Sequence, residues 1–236
     1  MAKMFCAVYC LDWPQRTNLP TLKNLKKDED KAALIIFVRN AVLGKVKTRL
    51  AATMGNETAL NIYQQLLTHT HSITQNIACQ KFIFYADEKN ENDLWENDLY
   101  KKQVQHGDNL GERMGNAFNH LFCLGYKRIC IVGSDCVALT TNLLHTAFEH
   151  LQTHDTVIGP SLDGGYYLLG MNQIIQGIFE EKEWSTESVL TDTMANISNS
   201  KKSCAVLPVL SDIDTEEDWK RYNNKTVAER QTTADL

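Results

Sequence analysis

The chain has 236 residues, with 24 Lys plus Arg against 29 Asp plus Glu and a formal charge of −5. Apolar residues make up 43% and charged residues 22%, which excludes a disordered chain and suits one substantial globular core. The mildly acidic total argues against nucleic-acid binding through a broad basic surface, yet leaves room for a local basic pocket.

Residues 1–31 stand apart, with a short apolar start, Trp13-Pro14 and a stretch from Lys23 to Lys31 dense in both charge signs. Met4 to Leu11 is too short to span a bilayer and lacks a secretory cleavage pattern. An amino-terminal extension on a cytoplasmic protein with no membrane span is expected. The ordered pattern opens at Ala32 to Val38, an unbroken apolar run that suits a strand buried on both faces. Arg39 to Leu50 follows, with four cations and no acid. Gly44 permits a tight turn there, and Lys45, Lys47 and Arg49 alternate, so an extended loop would turn them toward one anion. The segment reads either as a solvated basic loop or as a phosphate site at the end of a strand. It matches neither the Walker pattern nor Gly-x-Gly-x-x-Gly.

Helical spacing covers Glu57 to Ile77, and Lys81 to Ala86 reads as a second strand. In Gly107 to Met114, Asp108 or Asn109 caps a helix over Leu110 to Leu124. Arg113 on its first turns offers either a surface pair with glutamate or, with free backbone N–H groups, a phosphate grip. Arg128 to Gly133 predicts another buried strand, and Gly133-Ser134-Asp135-Cys136 comes directly after it. A carboxylate there faces the crevice where open α/β sheets bind ligands, so Asp135 is a candidate ligand for Mg²⁺ or Mn²⁺. Cys136 reads as a packed thiol.

A helix over Thr141 to Leu151 and a strand over Thr156 to Gly159 precede Asp163-Gly164-Gly165. These glycines bring the backbone close to a ligand or close a hairpin, and Asp163 is the candidate catalytic base or acceptor-orienting group. Of Tyr166 and Tyr167, alternation lets one reach a pocket. Trp184-Ser185-Thr186 precedes a helix expected near Glu187, with Ser185 or Thr186 as its cap. After a short strand over Cys204 to Leu207, Asp212 and Asp214 share a face in an extended segment and are candidates to complete a metal shell with Asp135. Thr215 caps an acidic helix to Tyr222, with Asp218 as the capping-box acid, and residues 223–236 read as a polar tail. The seven cysteines are odd in number and scattered, so reduced thiols are expected. The histidines form no catalytic or metal pattern. Strands alternating with helices predict an α/β sheet covered on both faces.

The order of these motifs resembles the bacterial glycosyltransferase-A-like transferases, formerly a domain of unknown function, which look like nucleotide-diphospho-sugar transferases. The resemblance rests on Phe37-Val38-Arg39, Gly44 to Leu50, Leu110 to Met114, Gly133 to Cys136, Gly159-Pro160, Asp163 to Gly170, Trp184 to Thr186 and Asp212 to Asp218. It spans roughly Ala33 to Tyr222 of the chain. It implies a three-layer α/β/α domain over 32–222 with a mostly parallel sheet and a glycosyltransferase-A-like nucleotide-binding fold. By resemblance, Lys47 and Arg49 face the nucleotide, and Asp135 is the metal carboxylate. Family members usually carry lysine at Arg39 and proline at Val137.

The function this implies is metal-dependent transfer of a sugar from a nucleotide-diphospho-sugar to a small-molecule acceptor. Arg39, Gly44, Lys45, Lys47, Arg49, Arg113, Gly164 and Gly165 are the expected nucleotide contacts. Nucleotidyl transfer from an NTP with release of pyrophosphate fits the same groups. A nucleotide-binding protein without turnover is the third reading.

Overall fold

The computed structural model describes residues 31–224. The expected extension and tail therefore lie outside the described residues, apart from Lys31 and residues 223–224, and so do Cys6 and Cys10. Strand β1 spans Ala32–Val38, as the apolar run predicts. The basic segment then departs from expectation: it turns over residues 43–46 and enters helix α1, Thr48–Met54, instead of running extended. Helix α2 (Asn56–Thr74), strand β2 (Gln80–Tyr85), helix α3 (Leu110–Cys123), strand β4 (Arg128–Val132), helix α4 (Thr141–His150) and strand β5 (Thr156–Pro160) fall where the patterns placed them, with ends shifted by up to three residues. Strand β3, Tyr100–Val104, has no sequence counterpart. Strand β6 (Tyr166–Met171), helix α5 (Val189–Asn199), strand β7 (Cys204–Val206) and helix α6 over 216–224 complete the order.

The seven strands form one sheet in the order β3-β2-β1-β4-β6-β5-β7. All pairings are parallel except those of β6, which runs antiparallel to both β4 and β5. The sheet is buried because β1 feeds both of its faces, as strand alternation requires. Leu34, Ile36 and Val38 join a core with Tyr63 and Leu67 of α2 and Leu144 and Ala147 of α4. Ala33 and Ile35 join a second core with Met114, Phe118 and Leu121 of α3 and Ile197 of α5. Two helical layers thus enclose one sheet, the expected three-layer α/β/α sandwich.

A smaller cluster fixes the loops at one end. Leu50 of α1, Ile62 and Leu66 of α2 and Ile213 pack together, flanked by Trp219 and Tyr222 of α6. Val137, where proline was the family expectation, packs against this cluster.

Candidate functional site

Strand order reverses direction between β1 and β4, and their register pairs Ile36 with Val132. Their carboxyl ends therefore open side by side, the place where an open α/β sheet leaves a crevice. A cleft of about 740 Å³ lies there. Its lining includes Arg39 and residues 45–49 after β1, 133–136 after β4 and the stretch around Asp212 and Asp214.

Tyr63 of α2 joins the first two segments. Its hydroxyl accepts the Arg39 N–H at 2.8 Å, donates to the Arg39 carbonyl at 3.1 Å and stands 3.4 Å from Ser134 Oγ. Burial pushes its phenol above the ordinary range. The third segment is tied by the Ile213 N–H, which donates to the Asp135 carbonyl at 3.0 Å. The backbone that carries Asp135 is thus fixed without a proline after Cys136. Nothing in its letters marks Tyr63 as a site residue, because its spacing on α2 is that of the core face.

Lys47 is the pivot of the charged wall. It caps α1 in the left-handed region, at φ 47° and ψ 50°, with no side-chain cap bond. Its ammonium lies 3.0 Å from Asp135 Oδ1 and 2.8 Å from Asp214 Oδ1, with the side chain only 6% exposed. Burial opposes the charge, but Asp135 and Asp214 outweigh it and hold the Lys47 pKa above its usual value. Asp212 stands beside this pair with its Oδ1 buried and lacking a hydrogen-bond partner. Burial, then the neighbouring charges of Asp135, Asp163 and Asp214, raise its carboxyl to about 7.

Among the described residues no group of three or more His, Cys, Asp or Glu side chains is arranged to hold a metal ion. The shell expected from Asp135, Asp212 and Asp214 is not assembled, since the Lys47 ammonium bridges two of its members. The donor chemistry nevertheless suits a hard divalent ion. Asp135, Asp212 and Asp214 offer oxygen ligands, and the unpartnered Oδ1 of Asp212 is a buried acceptor in want of a cation or donor.

Arg39, Lys45, Arg49 and Arg113 also line the cleft. Arg113 departs from the surface pairing with glutamate: its Nε donates to the Gly107 carbonyl at 3.0 Å. The start of α3 is less open to an anion than expected. Asn109 Oδ1 accepts from the Glu112 N–H at 3.0 Å, and Glu112 Oε2 accepts from the Asp108 N–H at 2.8 Å. This capping box occupies two donors that a phosphate would use.

Asp163 lines the cleft with Oδ1 bonded to Ser161 Oγ and, at 3.0 Å, to the Gly165 N–H. Gly165 borders the cavity, whereas Gly44 and Gly164 do not. Both of these take positive φ, 76° and 85°. A Cβ on Gly164 would lie 2.4 Å from the Glu187 carbonyl oxygen, so this glycine serves packing. Tyr166 and Tyr167 both reach the cleft although they join cores on opposite faces. Trp184 forms part of the wall and packs so closely on α3 that a Cβ on Gly111 would lie 2.6 Å from its indole. Neither Ser185 nor Thr186 is the helix cap: α5 starts at Val189, and Ser185 has φ 68°. Cys136 is a buried thiol that donates to the Ser211 carbonyl at 3.8 Å, and burial pushes its pKa up. The described cysteines Cys79, Cys123, Cys130, Cys136 and Cys204 are not joined in disulfides. No helix among the described residues is long and apolar enough to cross a membrane.

Residues 69–186 match the model of a family described as "Uncharacterized protein conserved in bacteria (DUF2064)". No curated protein matches the chain. Among solved structures, a candidate nucleotide-diphospho-sugar transferase from Desulfovibrio desulfuricans G20 is 29% identical with a TM-score of 0.72, over 79% of this chain and 83% of that one. The 4-diphosphocytidyl-2C-methyl-D-erythritol synthase of Anaerococcus prevotii DSM 20548 is 11% identical with a TM-score of 0.54, over 84% of this chain and 96% of that one. A candidate glucose-1-phosphate thymidylyltransferase from Bacillus anthracis is 10% identical with a TM-score of 0.56, over 82% and 94%. At such identities the last two likenesses speak for the fold alone.

Proposed function

The chain belongs to the DUF2064 family, and on that premise we propose that its cleft binds a nucleotide-diphospho-sugar and transfers the sugar to a small-molecule acceptor. The observation that carries the reading is that basic and acidic side chains line one cleft. Lys45, Lys47 and Arg49 line the same crevice as Asp135, Asp212 and Asp214, with Lys47 paired to Asp135 and Asp214. The likeness to the Desulfovibrio protein supports the choice of donor.

Lysine ammonium groups and the Arg49 guanidinium would bind the diphosphate, the arginine with two parallel N–H bonds to phosphate oxygens. Fixed positive charge facing the leaving group stabilises the transition state most, because charge grows there as the bond breaks. Asp135 with Asp212 and Asp214 would hold Mg²⁺ or Mn²⁺, which when bound supplies further charge neutralisation at the diphosphate. The bond from the anomeric carbon to the diphosphate oxygen breaks as the acceptor hydroxyl oxygen forms its bond to that carbon. The hydroxyl proton passes to the Asp163 carboxylate, whose orientation is set by Ser161 and Gly165. In this reading residues 32–222 are the catalytic domain.

Calorimetric titration with UDP-sugars, GDP-sugars and NTPs, each with and without Mg²⁺ or Mn²⁺, tests it. One nucleotide-diphospho-sugar should bind in a metal-dependent way, and Asp135→Asn should weaken that binding at least ten-fold with the circular dichroism spectrum unchanged. Preference for an NTP, with pyrophosphate released, would replace this reading by nucleotidyl transfer. Tight binding without turnover on any acceptor would leave a nucleotide-binding protein.

A further inference from the structure

The space between the carboxylates of Asp135 and Asp214, which would hold a divalent ion in the reading above, is filled by a side chain of the protein itself. Lys47 Nζ lies within 3.0 Å of an oxygen of each carboxylate, and its side chain is 6% exposed while theirs are 43% and 41% exposed. All three line the cleft, and the two acids are more exposed than the ammonium they share. Neither carboxylate pair is shared with Asp212, whose Oδ1 stays without a partner. The residue that delivers the ammonium stands in the left-handed backbone region, at φ 47°. That conformation is uncommon for a residue with a Cβ. Lys47 makes both ion pairs from this conformation.

We propose that Lys47 is an internal counter-ion that keeps Asp135 and Asp214 neutralised until a diphosphate draws its ammonium away, so that divalent metal and nucleotide enter the cleft together. The inference rests on the metal-assisted reading above and adds an order of binding to it. An ammonium and a divalent ion repel each other and compete for the same oxygens, so metal alone must displace Nζ into a space without a replacement anion. When the diphosphate is present, the flexible four-carbon stem lets Nζ swing onto phosphate oxygens, and both charges find partners. The coupling is reciprocal, so nucleotide raises metal affinity by the factor by which metal raises nucleotide affinity. Lys47 acts here as a positioning residue for the cation site.

The test follows the free Mn²⁺ signal by electron paramagnetic resonance, without nucleotide, in the full chain. Lys47→Met and Lys47→Gln, each checked by circular dichroism, should bind Mn²⁺ at least ten-fold more tightly than the unaltered protein. Lys47→Arg, which keeps the charge, should show no such gain. Adding Asp135→Asn to Lys47→Met should abolish the gain. Neutral variants that bind Mn²⁺ no more tightly than the parent overturn the counter-ion role. If the parent already binds Mn²⁺ tightly, the metal-assisted reading survives that loss. If no form binds Mn²⁺ even beside UDP- and GDP-sugars, both fall. A gain that persists with Asp135→Asn places the ion elsewhere and also overturns the proposal.

Discussion

Asp212 is poorly placed to carry its charge. Burial comes first among the causes, followed by Asp135, Asp163 and Asp214, with Lys47 opposing them, and together they raise its pKa to about 7. An unfolded aspartate titrates near ~4. Between those values the native state binds a proton that the unfolded chain releases, so this group's contribution is complete at pH 4 and is lost as pH rises through about 7. In chelator-treated protein, Asp212→Asn should melt at a higher temperature than the parent at pH 8, by up to about 4 kcal/mol of stability. The advantage should shrink toward pH 5, where the parent carboxyl is already neutral. Parallel melting curves across that range would remove the coupling between burial and charge inferred for this residue. Sequence reading singled out Asp135 as a carboxylate directly after a buried strand, and Asp212 and Asp214 by their alternation, and all three line one cleft. It placed Lys47 toward a ligand and missed its bridge to the two acids, since both contacts are long-range and the one to Asp214 joins residues 167 apart in the chain. Side-chain alternation gave no hint of it because Lys47 is neither strand nor helix but a left-handed cap.

Element by element, legibility followed apolar content. β1, β2, β4 and β5 are buried runs and stand out in the sequence. β3 reads Tyr-Lys-Lys-Gln-Val and lies at the sheet edge, where one lysine faces outward and the other is hidden by tertiary contacts. Lys102, with 4% of its side chain exposed, donates to Asp93 Oδ1 and to the Asn90 carbonyl, each at 2.8 Å. Asp93 also accepts from Tyr85 Oη at 2.5 Å and, through Oδ1, from the Trp95 N–H at 3.1 Å. One carboxylate therefore organises the connection from β2 to β3, and no local pattern announces it. Asp93→Ala leaves a buried ammonium without its counter-charge, a loss of roughly 3–5 kcal/mol. Chemical denaturation should show that loss, and Asp93→Ala with Lys102→Met should recover most of it. A single variant as stable as the parent would mean that solvent already screens the pair. Capping chemistry was more legible than this network. Thr215 Oγ1 accepts the Asp218 N–H at 3.3 Å, and Asp218 Oδ2 accepts the Thr215 N–H at 2.9 Å. That reciprocal bond lies within four residues, so spacing alone predicts it.

For the whole molecule, the position of the cleft follows from how the chain crosses the sheet. The route from β1 to β2 passes through α2 on one face, and the route from β3 to β4 passes through α3 on the other. The first strands therefore add outward from β1 on one side, while β4 and its followers occupy the other. Parallel strands bring the loops after β1 and β4 to the same edge, and the isolated bridge between Ser161 and Leu210 carries the chain after β7 along that edge toward Asp212. Three segments far apart in sequence thus meet because of topology, which motif order suggested but spacing alone could not establish. Hydrogen exchange gives this arrangement a global test. With the nucleotide-sugar that titration selects and Mn²⁺ present, amides over 39–49, 133–136 and 211–214 should exchange several-fold more slowly. The opposite edge, at 76–80, 125–128 and 202–204, should keep its rates, because ligand bound at the carboxyl ends touches none of those turns. Protection centred instead on residues 90–95 would move the ligand to the smaller cavity of about 240 Å³ beside Arg39 and Trp95. In that event the charged crevice between β1 and β4 would no longer be the site of transfer.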